Sequence, residues 1–150
     1  MRMRMHARTK EVQWGVALLR MTVGAIFLAH GLQKLLVTGM PGVAEFMGQV
    51  SIPMPMASAI LVTAAETVCG LALVLGLFTR WAVVPLAIDM LVAMTVVHLP
   101  GGFFLPNGIE FTLALLAACV SIGLAGPGAF ALDNVIGGGR ESDRTRAKAA

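Results

Sequence analysis

Residues 14–36 read WGVALLRMTVGAIFLAHGLQKLL, an apolar run of 23 residues. As a helix it is long enough to cross a hydrocarbon core of about 30 Å. It also carries three ionisable side chains, Arg20, His30 and Lys34. Such groups are costly in lipid and normally face a bundle interior or a wet cavity, where they find partners. At about 100° per residue, Arg20, Gly24, Phe27, Gly31 and Lys34 fall on one stripe with His30 on its shoulder. One face of this helix is therefore turned away from lipid.

The composition agrees with a membrane span. Of 150 residues, 57% are hydrophobic and 13% charged, and the mean hydropathy is +0.84. A soluble domain of this length needs about a quarter charged residues to cover its surface, so the class is integral membrane and one domain suffices. The net charge of +3 is no nucleic-acid footprint, because the basic residues lie at the chain ends and in one short turn. A cleaved signal peptide fits poorly: the run is too long, contains Arg20 and lacks a small-residue cleavage site. Cys69 and Cys119 stand in apolar runs without metal or redox spacing and read as packed thiols; no metal site is expected.

Outward from the first span, residues 1–13 form a basic leader with Arg2, Arg4, Arg8 and Lys10. Residues 37–55 lack Lys and Arg, and Val43, Phe46, Met47 and Val50 recur there at helical spacing, predicting a short amphipathic helix across the outer mouth. A second span runs over 56–78 with Glu66 near its centre, and Arg80 and Trp81 follow in a tight turn. A third, over 82–99, contains Pro85 and Asp89 and ends in His98 before Pro100. After a Gly- and Pro-rich loop, a shorter fourth span opens at Glu110 and stops at Gly126-Pro127-Gly128, ahead of Asp133. Residues 137–150 read as a disordered basic tail. Nine of the 11 Lys and Arg residues fall in the two tails and the middle turn, the other two being Arg20 and Lys34. The positive-inside rule then gives an all-α, up-down-up-down four-helix bundle over 14–136 with both termini cytoplasmic.

A rise of about 1.5 Å per residue places Lys34, His98 and Glu110 at the outer mouth, His30 deeper, and Glu66 and Asp89 about 15 Å down. The expected result is a polar funnel, with Arg20 and Asp133 as a separate structural pair near the inner leaflet. Small residues support the inward turn of Glu66, since Ala59, Thr63, Glu66 and Gly70 share a face. Glu110, Ala114, Ala117 and Ser121 do the same in the fourth span. Asp89 and His98, nine residues apart, lie on opposite faces of a regular helix, so both line one site only if Pro85 kinks it or its end unwinds before Pro100. Plainer readings stand beside these. Lys34 can snorkel to the interface, Glu110 can answer a helix dipole, and the two histidines as haem ligands have no other support.

The ordered set GAIFLAHGLQKL, AETVCGLALVLGLFTRWA, the Val97-His98 pair, Glu110, and Gly126-Pro127-Gly128 followed by Leu132-Asp133 resembles the DoxX family of membrane proteins. The matching positions are Arg20, His30, Gly31, Lys34, Glu66, Gly70, Arg80, His98, Glu110, Gly126, Pro127, Gly128, Leu132 and Asp133. Ala129-Phe130-Ala131 departs from the pattern, and Asp89 has no assigned place in it. The resemblance implies a four-helix, multi-pass protein of the bacterial inner membrane. Some relatives are subunits of a thiosulfate:quinone oxidoreductase. Others join membrane complexes with a superoxide dismutase and a sulfurtransferase-like protein, and more distant ones act in assembly.

The function expected from these readings is a membrane subunit of a redox complex that interacts with a quinone, in thiosulfate, thiol or oxidative-stress chemistry. Glu66, His30 and Lys34 are the candidate catalytic residues and His98 and Glu110 the candidate substrate ligands. Quinone is the candidate cofactor, and no covalent cofactor motif occurs. The expected partners are the bilayer and proteins of the complex, with Gly70 and Gly76 open to either core packing or a homo-oligomer seam. The alternative is a non-enzymatic scaffold or assembly factor whose polar core fixes helix register. Solute transport has less support, because inverted repeats with broken helices are lacking.

Overall fold

The computed structural model describes residues 2–136, with side chains from Lys10 onward. The tail over 137–150 lies outside the described residues. Short and long helical pieces, with no strand among the described residues, assemble into four rods. Helix α1, Arg2–Gln33, runs on through the stretch read as a basic leader and passes through a π turn, Lys34–Thr38, into α2, Gly39–Gln49. The second rod is α3, Pro55–Ala64, a π turn, Ala65–Cys69, and α4, Gly70–Leu75. The third is α5, Thr79–Val92, then a π turn, Ala93–His98. The fourth is α6, Glu110–Ala125. Three rods are long and apolar enough to span a membrane, and α6 is a shorter apolar helix.

The rods alternate in direction. Gln13 accepts a hydrogen bond from the Ala129 N–H, and Asp133 N–H donates to Gly76 O. The first rod around Gln13, the turn between the second and third, and the stretch after α6 therefore meet at one end of the bundle. We call this the Arg20 end; the loops over 50–54 and 99–109 close the other.

α4 finishes in a Schellman cap, with Gly76 N–H bonded to Leu73 O and Leu77 N–H to Ala72 O. Gly76 has φ +67, and a Cβ there would lie 2.6 Å from Ala131 Cα. Only glycine satisfies both demands.

α1 packs on the second rod and α5 on α6. Their shared core includes Val23, Phe27, Leu73, Leu86, Cys119 and Ile122, all at most 2% exposed. Cys69 and Cys119 are free thiols. Outside this core, Leu18, Leu36, Leu61, Val68 and Leu124 are among many large apolar side chains left exposed. That surface suits hydrocarbon, where no hydrophobic penalty attaches to it.

The short helix α2 forms as its periodicity predicts, burying Val43 and Met47 with Ala44 against Ala59. Phe46 is 44% exposed and turns toward a cavity. One expected face is corrected. In α6 the inward stripe is Thr112, Leu115, Cys119 and Ile122, while Ala114, Ala117 and Ser121 are exposed. The bulkier stripe wins because it fills the gap left by α5, where small side chains would leave voids.

Candidate functional site

The first and second rods touch through glycine. A Cβ on Gly24 would lie 2.8 Å from Val74 N, and one on Gly70 would lie 2.6 Å from Leu28 N. The two backbones thus approach with nothing between them, as small residues permit in membrane bundles. Further along, Gly31 rests on Thr67. This contact sets the register that brings Lys34 to Glu66, where Lys34 Nζ donates to Glu66 Oε2. The Glu66 side chain is 4% exposed and that of Lys34 25%, so the carboxylate is enclosed and the ammonium closes its open side. It is the one ion pair among the described residues.

A cavity of about 480 Å³ opens beside the pair. Its polar lining is His30, Lys34, Glu66, Asp89, His98 and Thr112; Phe27, Phe46, Met90 and Leu115 are among its apolar wall. Sequence reasoning placed Glu66, His30, Lys34 and His98 together, and the structure puts all four on this cavity. Asp89, which the sequence left in doubt, is the residue it undervalued. The Asp89 carboxyl faces that of Glu66, and its Oδ2 is buried without a hydrogen-bond partner.

What brings Asp89 and His98 to one cavity is the π turn over Ala93–His98. Each residue of an i→i+5 turn rotates the chain by less than the ~100° of an α-helix. Over this segment the deficit carries His98 round toward the face of Asp89. Thr95 Oγ1, bonded back to Leu91 O at 2.8 Å, sits in the widened turn. The same device recurs at Lys34–Thr38 and Ala65–Cys69, so Lys34, Glu66 and His98 each lie in a π turn of a different rod. The Pro100 that follows His98 is the signal that was available in the sequence.

Two expected site residues are used otherwise. Glu110 does not line the cavity; its Oε1 accepts the Leu105 N–H at 2.8 Å and fastens the loop before α6. Arg20 and Asp133 form no ion pair, which corrects the expected direct contact. Arg20, fully buried, donates from Nε to Pro127 O at 2.8 Å and from its terminal nitrogens to Leu73 O, to Val74 O at 3.0 Å and to Ala129 O at 3.2 Å. Asp133 accepts Phe78 N–H at 2.7 Å and Thr79 N–H at 2.9 Å. The cation answers the carbonyl end of α4 and the anion the amide end of α5, where their charges suit the helix dipoles.

Chemically, the cavity combines the Lys34 ammonium, two imidazoles, two carboxyl groups and an apolar wall. His98 Nδ1 lies 3.2 Å from Asn107 O, a carbonyl that only accepts, so Nδ1–H is the donor of that contact. Among the described residues no three His, Cys, Asp or Glu side chains converge as a metal site. A quinone fits the donor set: Lys34 and His30 suit a carbonyl, and the unpartnered Asp89 oxygen suits a hydroxyl.

Fold and site together define a small multi-pass helical membrane protein with a cavity lined by two carboxyls, two imidazoles and a lysine. The chain belongs to the DoxX family: the DoxX family model matches residues 15–99, a range holding Arg20, His30, Lys34, Glu66, Asp89 and His98. It is 34% identical over 129 residues to the uncharacterized membrane protein Rv3486 of Mycobacterium tuberculosis, covering 79% of this chain and 78% of that one. CatD of Bacillus subtilis, provisionally named an oxidoreductase, is 32% identical over 92% of this chain and 98% of its own length. The inner membrane protein YphA of Escherichia coli is 31% identical over 76% and 84%. No solved structure matches the chain.

Proposed function

We propose that this protein is the quinone-interacting membrane subunit of a redox complex in the bacterial inner membrane, with both termini cytoplasmic and the cavity opening on the opposite face. The observation that carries the reading is the Lys34–Glu66 pair beside Asp89 in a cavity that His30, His98 and Thr112 also line and whose remaining wall is apolar. A bound quinone would supply the electron-accepting ring. Lys34 and His30 hold and orient a carbonyl oxygen, Glu66 and Asp89 hold the protons that its reduction requires, and Phe27, Phe46 and Leu115 exclude water. Electrons come from a protein partner or directly from the substrate, in keeping with the oxidoreductase designation of the Bacillus subtilis relative and with the thiosulfate or thiol chemistry that the family resemblance implies.

The test is quinone content. The protein is purified in mild detergent and extracted quinone is quantified per chain, beside Glu66→Ala and His30→Ala variants. Near-stoichiometric quinone in the native protein, lost from both variants, supports the reading. Equal traces in all three refute it and favour the scaffold role, in which the same pair only fixes helix register.

A further inference from the structure

A second apolar cavity, of about 560 Å³, lies between the second and third rods, and its wall includes Leu61, Ala65, Pro85, Ile88 and Val96. Leu61 and Ile88 are 71% and 58% exposed, so this groove opens sideways onto the lipid-facing surface. It shares Met47, Ile52, Val62, Asp89 and Val92 with the cavity described above. Its polar lining is Ser51, Ser58 and Asp89. Ser58 is already committed, donating to Pro53 O at 2.8 Å. Asp89 Oδ2 is the buried polar atom in the groove without a partner.

The geometry points to this groove as a lateral entrance from the bilayer, with Asp89 at the threshold as a ligand-binding residue. The occupant is a lipid-soluble molecule with a flexible apolar chain and a hydroxyl or carbonyl head. The chain lies along Leu61, Ile88 and Val96, and the head passes Asp89 to reach Lys34 and Glu66. Three observations support it: the groove and the polar cavity share five lining residues, the group between them is a carboxyl whose Oδ2 lacks a partner, and π turns flank both walls. A ligand entering from water would have no use for an apolar slot open to lipid; one dissolved in the bilayer needs it. The inference extends the quinone reading by giving the route, and it rests on that reading only for the identity of the head group.

The test uses the full chain in phosphatidylcholine liposomes and a lipid-soluble carbodiimide. The reagent adds to a protonated carboxyl: the O–H proton goes to one nitrogen and the carboxyl oxygen to the central carbon. Acyl migration to nitrogen then leaves a stable N-acylurea, with nothing oxidised and no group expelled. Peptide mass spectrometry should place the adduct on Asp89. Leu61→Trp and Ile88→Trp, which plug the groove from lipid-exposed positions, should slow labelling about tenfold or more. Val68→Trp, equally lipid-exposed but outside the groove, should leave the rate unchanged. Absence of an Asp89 adduct, or labelling indifferent to both plugs in variants that elute as the native protein does, overturns the entrance. A short-chain quinone is then added as competitor. If it protects Asp89, entrance and quinone reading stand together; plug-sensitive labelling without protection keeps the entrance and overturns the quinone reading.

Discussion

Arg20 and Asp133 grip opposite ends of the same turn without touching. Arg20 takes carbonyls from Leu73 and Val74, before the turn, and from Pro127 and Ala129; Asp133 takes the amides of Phe78 and Thr79, after it. Arg20→Met would take the guanidinium away from four carbonyls, of which Leu73 O keeps the Gly76 N–H of the helix cap, and hydrogen bonds to charged groups contribute about 1.5–3 kcal/mol each. Reversible unfolding in mixed detergent should show a loss of at least ~3 kcal/mol. Arg20→Lys should recover only part of it, because an ammonium lacks the planar five-donor fork.

Asp133 acts as the N-cap of α5 from a distant part of the chain. Asp133→Ala should cost about 1 kcal/mol by the same measurement, and Asp133→Asn clearly less, since its amide oxygen still accepts one N–H. Equal losses for the two would show that charge rather than hydrogen bonding holds the turn.

Two glycines in membrane helices should respond with opposite signs to alanine. Gly70→Ala places a methyl 2.6 Å from Leu28 N, where the obstacle is backbone and cannot rotate away. A loss of about 1–3 kcal/mol or more is expected. A Cβ on Gly15 meets nothing within 4 Å, so Gly15→Ala should be neutral or stabilise by up to about 1 kcal/mol through helix propensity. Thermal unfolding of the two variants side by side checks both.

The Lys34–Glu66 pair separates structure from function. Glu66→Leu alone strands a partly buried cation and Lys34→Met alone an almost fully buried carboxylate. Removing one partner of a buried pair typically costs about 3–5 kcal/mol. The double variant Lys34→Met with Glu66→Leu should regain most of that stability while binding no quinone. Full recovery of quinone binding in the double variant would show that neither side chain touches the ligand.

Much of this was legible in the sequence. The stripe Arg20, Gly24, Phe27 and Gly31 is buried as its spacing predicts, and so is the face of Ala59, Thr63, Glu66 and Gly70, because regular helices project residues at a fixed angle. Where the angle is not regular the reading fails. Asp89 and His98 share a wall through a π turn whose only warning was Pro100. In α6 small residues and bulky ones form competing stripes, and periodicity alone does not say which faces the core. Arg20 and Asp133 were paired by charge and depth, yet both found backbone partners, since helix ends offer concentrated partial charges that no side-chain pattern displays.

Beneath the cavity, Leu73, Leu86 and Cys119 pack at 0% exposure, and below them Arg20 is wholly enclosed by carbonyls. The molecule is thus a cup rather than a pore. A proton that reaches Glu66 or Asp89 from the open face leaves by that face, and a ligand arriving sideways from the bilayer carries no charge through the floor. On the redox reading proposed above, any charge that crosses the membrane during turnover would be carried by electrons from a donor on the closed side, not by protons through this bundle.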